Sequence, residues 1–175
     1  MSEGFDYGGE VAETVSQFKS ATVGTRNARL HGLLRLGTFQ ETFKGEMKAA
    51  APQGLAIFLL RGKTDLLDDG GEMFFSKTFP FKKGDKSFLH KSFIPAFGGM
   101  TKHKGFGTMV GGLFSLKLKG GKELNDDGTP KYINFDSMSE IGEDMLEMAE
   151  SMPAFAASET PLGFLTESEL TKEAL

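Results

Sequence analysis

A chain of 175 residues, 39 % of them hydrophobic, is long enough to bury one core and gives no reason to be divided in two. The absence of cysteine excludes disulfides, thiolate metal sites and cysteine nucleophiles. The formal charge of −4 conceals a partition of −4 over residues 1–18, +9 over 19–131 and −9 over 132–175, which sets a cationic body between acidic ends and points to a polyanion as partner.

The N-terminus MSEGFDYGGEVAETV is acidic without an apolar run, so no secretory or transit peptide is expected. Residues 1–25 mix glycine, serine, threonine and acids around isolated Phe5, Tyr7 and Phe18, and are expected to form a mobile acidic arm. From Arg26 the pattern changes to short β-like runs separated by turn residues. RNARLHGLLRLGTFQETF reads as a long strand interrupted at Gly32 and Gly37, where glycine marks a bulge or bend that lets a strand curl around a small barrel. After the loop GEMKAAAPQ, GLAIFLLRGK reads as a buried strand, too short to cross a bilayer. DLLDDGG is a tight reversal, and EMFFSKTFPF a third strand ending at Pro80 on an edge or break.

GDKSFLHKSFIPAF is expected to be a short helix capped by Asp85 and stopped by Pro95, and GGMTKHKGFG a basic loop. TMVGGLFSLKLKGGK is a fourth strand with Phe114, Leu116 and Leu118 on one face and Lys117 and Lys119 on the other. NDDGTP is a hairpin turn before KYINFDSMSEI, the fifth strand. Five short strands with a helix between the third and fourth is the order of the oligonucleotide/oligosaccharide-binding barrel, the OB-fold. The expected fold is therefore all-β, a single OB-fold-like five-stranded barrel over residues 26–141. Residues 142–175 are expected to add an acidic amphipathic helix and a flexible tail. Ser137 and Glu140 suggest a capping box, and Ile141, Met145, Met148 and Met152 share a stripe before Pro153; an apolar knot, Leu162, Phe164 and Leu165, follows.

No catalytic constellation is legible. His31, His90 and His103 stand beside lysine, glycine or apolar residues and away from acids at ligand spacing. The acidic runs at Asp65 to Asp69 and at Asp126 and Asp127 lack the alternating oxygens and distal glutamate of a calcium loop. Gly98 to Gly107 lacks the Gly-Lys-Ser/Thr ending of a phosphate loop, and no nucleophile elbow occurs. The expectation is a binding protein without enzymatic activity, metal or cofactor, in the cytoplasm and off the membrane.

The informative segment is FFSKTFPFKKGDKSFLHKSF, residues 74–93, where rings and cations are interleaved. Single-stranded nucleic acid presents bare π-faces along a line of phosphates, so its reader needs aromatic platforms beside a cationic groove. Between residues 77 and 119, Lys77, Lys82, Lys83, Lys86, Lys91, Lys102, Lys104, Lys117 and Lys119 oppose Asp85 alone; Arg35, Lys44 and Lys48 extend the set upstream. Most phenylalanines must fill a core that has no tryptophan. The rings with lysines close around them, Phe79, Phe81, Phe88, Phe93 and Phe106, are the candidate platforms.

NARLHGLLRLGTF, the segment 74–93 and KYINFDSMSEI, in this order and spacing, resemble the OB-fold single-stranded DNA-binding proteins encoded in tailed-bacteriophage replication modules. The resemblance covers roughly residues 26–141. It implies a protein that coats single-stranded DNA during phage replication and recombination in an infected bacterium, with an acidic C-terminal segment that contacts phage or host replication proteins. The chain departs from that form in its moderately acidic tail, which ends in Ala174 and Leu175 without a terminal aromatic. The residues leave two alternatives open, a phage structural or regulatory protein acting through protein contacts, and an RNA-binding chaperone on the same barrel.

Overall fold

The computed structural model describes residues 19–40, 42–143 and 163–166. Its strands are β1 Gly24–Phe39, β2 Thr42–Phe43, β3 Glu46–Met47, β4 Ala51–Leu60, β5 Phe74–Pro80, β6 Leu113–Gly120, β7 Ile133–Ser139 and β8 Gly163–Leu165. The main sheet runs β5-β4-β1-β6-β7, with antiparallel pairing throughout, and β8 lies parallel to β1; β2 and β3 form a separate hairpin. Between β5 and β6 a helix, α1, makes one π-type turn, Leu89–Phe93, and continues through Ile94–Ala96.

β1 organises the sheet because it is long enough to serve two partners. Its first half pairs with β6, while β4 pairs along nearly its whole length. The β1–β4 register shifts between Leu30 and Gly32 and again between Arg35 and Gly37, where glycine was expected to interrupt the strand; Gly37 has φ 107°, a conformation costly for other residues. Each shift adds a residue on one side and increases the local bend.

One apolar cluster draws on every large element. Leu30 and Leu33 of β1, Phe58 of β4, Phe79 of β5, Leu89 and Phe93 of α1, Phe114 and Leu116 of β6 and Met138 of β7 meet inside it. Full burial of Phe58, Phe93 and Phe114 contributes about 1.5–3 kcal/mol each. β6 alternates as its sequence requires, with Phe114, Leu116 and Leu118 inside and Lys117 and Lys119 outside. A buried ion pair, Arg26 with Asp65, ties the β4–β5 connection to the start of β1. Asp65 also accepts a 2.7 Å hydrogen bond from the Gly62 amide.

Five features differ from the sequence expectation. Asp85 is exposed and does not cap α1; the Ser87 hydroxyl accepts from the His90 amide at 3.3 Å instead. Pro95 does not stop the helix but lies in the first turn of the segment Ile94–Ala96, where a residue without an amide hydrogen is tolerated. The stop comes at Gly98 and Gly99, both at positive φ, whose amides bond back to the Pro95 and Ile94 carbonyls, a Schellman closure. Ser137 lies in β7, so no capping box forms with Glu140; the expected helix beyond, from 144, lies outside the described residues. β1 begins inside the expected arm, and Ala21 ahead of it packs against the core; residues 1–18 of that arm lie outside the described residues. Part of the expected flexible tail is a strand, β8, paired to Gly32–Leu34 of β1. No described helix is long and apolar enough to cross a membrane.

Candidate nucleic-acid interface

Alternation along β5 decides where its side chains go. Phe75, Lys77 and Phe79 fall on the inner side with Phe81 following them, while Phe74, Ser76, Thr78 and Pro80 face out and are exposed. Two of the expected platforms are consequently core residues: Phe79 is 2 % exposed and Phe93 fully buried, so neither offers a free face to a base. Gly54, opposite Phe79 in the ladder, makes room for this packing; a Cβ there would lie 2.7 Å from the Phe79 ring and 2.9 Å from that of Phe81.

The remaining three, Phe81, Phe88 and Phe106, are half-buried and pack against the cluster from its margin. They form a ladder of rings. Phe81 lies 5.9 Å from Phe79 and 5.6 Å from Phe106, and Phe88 lies 4.9 Å from Phe79 and 5.4 Å from Phe135 of β7. Spacings of this size suit offset and edge-to-face contact. Phe164 of β8 stacks on Phe81 at 6.4 Å and tilts against Phe106 at 5.8 Å.

Cations attach to this margin at two points. The Arg35 guanidinium lies 5.9 Å from the centre of the Phe81 ring. The Lys77 ammonium lies 5.1 Å from Phe88 and 4.8 Å from Phe135, bridging the two outer strands of the sheet, which share no ladder pairing. Burial pushes the Lys77 ammonium below its ordinary pKa, because a charge is costly where water is excluded. Lys77, one of the expected groove cations, is half-buried on the inner face at the seam between β5 and β7.

The other expected lysines fall into separate groups. Lys44 and Lys48 lie 5.5 and 4.6 Å from the exposed ring of Phe43 on the β2–β3 hairpin. Lys82, Lys83 and Lys86 are exposed on the β5–α1 connection, Lys91 on α1, and Lys102 and Lys104 on the loop that follows. Lys117 and Lys119 pair with Asp136 of β7 at 3.5 and 3.3 Å; the Lys119 hydrogen bond, aided by the charges of both lysines, holds the Asp136 carboxyl below its ordinary pKa. Sequence reasoning missed Phe43, Phe135, Phe164 and Asp136. Phe43 was recoverable, since TFKGEMK repeats the ring-and-lysine pattern of 74–93; Phe135, Phe164 and Asp136 act only through partners distant in sequence.

Among the described residues no group of three or more acids and histidines is placed to hold a metal ion. Comparison of the chain with protein-family models, with curated proteins and with solved structures finds no match.

Proposed function

We propose that the chain is a sequence-tolerant single-stranded DNA-binding protein that coats strands during phage replication and recombination, and that its sheet is an OB-type barrel. The observation that carries the reading is the half-buried ring margin, Phe81, Phe88 and Phe106, with Arg35 against Phe81 and Lys77 between Phe88 and Phe135. Partly exposed rings beside cations are what stacking bases and their phosphates use. The OB reading is supported by the strand order, by a first strand shared between both halves, and by α1 in the connection between the third and fourth long strands. In this reading the protein does no chemistry on the strand and works in the cytoplasm of an infected cell.

Titration of a labelled oligo-dT at several salt concentrations, with a duplex of equal length beside it, tests the function. Affinity is expected to fall steeply with salt, because each phosphate-bound lysine or arginine releases condensed counterion, and to exceed that for duplex. A flat salt response, or equal affinity for duplex, rejects the reading.

A further inference from the structure

The strand registers bring several element ends together far from Phe81 and Phe106. Gly24 at the start of β1 pairs with Leu118 of β6, Phe74 at the start of β5 with Leu59 of β4, and Ile133 at the start of β7 with Gly120. The length of β5 separates this end from Phe81 by roughly 20 Å. Here Phe74 and Tyr132 are 45 % and 54 % exposed, more open than any ring of the margin described above. Both line one cleft of ≈ 430 Å³, together with Lys19, Lys131, Phe75 and Asn134, a volume in the range of small-ligand sites. The Lys131 ammonium lies 5.4 Å from the Tyr132 ring centre, and His31 meets Phe74 edge-on at 4.9 Å. Among the described residues no other ring packs on Tyr132.

We propose that this cleft is a nucleobase site, in which a base of the bound strand stacks on Phe74 or Tyr132 and the flanking phosphates contact Lys19 and Lys131. The proposal rests on the single-strand reading and gives it a second contact point at the other end of β5. Two accessible rings and two ammonium groups line the same depression, the combination that suits a base and its phosphate and that an apolar protein partner does not need. Two acids stand nearby, Asp68 at 3.7 Å from Lys19 and Glu123 at 3.5 Å from Lys131. Their side chains are 86 % and 67 % exposed, and pairs so open to water are weak, so a phosphate can displace them.

The chain contains two tyrosines, Tyr7 and Tyr132, and no tryptophan, so Tyr7→Phe leaves Tyr132 as the sole emitter above the phenylalanine background. In that background, oligo-dT is expected to quench Tyr132 emission with the midpoint found from the anisotropy of a labelled strand. Tyr132→Leu and Phe74→Leu are each expected to weaken binding about 5- to 150-fold, Tyr132→Phe to restore it, and all to keep the far-ultraviolet circular dichroism of the parent. Unchanged emission and unchanged affinity of both leucine variants, with the strand still bound, overturn the cleft and leave the single-strand reading standing. Failure of the unaltered chain to bind any strand overturns both.

Discussion

Phe93 and Phe81 differ in what their removal costs, although both sit among lysines in the sequence. Phe93 is fully buried and touches the rings of Phe79, Phe88, Phe97 and Phe106, so Phe93→Ala is expected to lose about 3–5 kcal/mol of stability. Phe81 is half-buried beneath Arg35, and Phe81→Ala is expected to weaken strand binding by about 1–3 kcal/mol while the domain stays folded. Urea unfolding of both variants and oligo-dT titration below the lower midpoint separate the two effects; if Phe93→Ala binds weakly while as stable as the parent, the assignment is reversed. Lys77 provides a second test. Its folded pKa lies below its unfolded one, so the fold disfavours the charged form. The penalty is full below the folded pKa and fades as pH rises through it toward the ordinary lysine value. Lys77→Met is therefore expected to be more stable than the parent at pH 7, with the gap narrowing as pH rises toward the ordinary lysine value of 10.5; a gap independent of pH rules out desolvation as its cause. Because inward-pointing charges also deter pairing at a sheet edge, the variant is expected to self-associate more at high concentration, read by light scattering.

β8 shows how a short element can sit where a ligand is proposed to bind. Its three residues pair with Gly32–Leu34 of β1 and set Phe164 over Phe81 and Phe106. Covalent connection keeps the strand at an effective concentration in roughly the millimolar range, and Glu159, Glu167, Glu169 and Glu173 surround it in sequence. Under the proposed function, deletion of residues 154–175 exposes the two rings and is expected to tighten oligo-dT binding, most at low salt, where charges are least screened. Phe164→Ala in the full chain is expected to reproduce part of that gain without removing any acid. Equal affinities of all three proteins at low ionic strength would show that β8 does not compete.

At the scale of the whole molecule, one apolar cluster joins β1, β4, β5, β6, β7 and α1, leaving no interface along which half of the sheet could separate. Unfolding is therefore expected to be a single transition, with coincident urea midpoints from Tyr132 emission and far-ultraviolet circular dichroism; two resolved midpoints would reveal a second cooperative unit. The amino-acid sequence alone determined the five long strands, the bend points at Gly32 and Gly37, the inward face of β6 and the helix between β5 and β6, because each depends on local periodicity or backbone freedom. It also holds a sign at the third long strand: Phe75, Lys77, Phe79 and Phe81 share a parity on β5, which places Lys77 on the inner side with the core ring Phe79. Only the tertiary structure decided which rings keep an open face, since exposure depends on what the opposite strand brings: Phe135 to Lys77, Gly54 to Phe79, and β8 to Phe81. The pairing of Lys117 and Lys119 with Asp136 was likewise invisible in sequence, because the partners meet through the β6–β7 register, and charge counted along a chain carries no information about charge across a sheet.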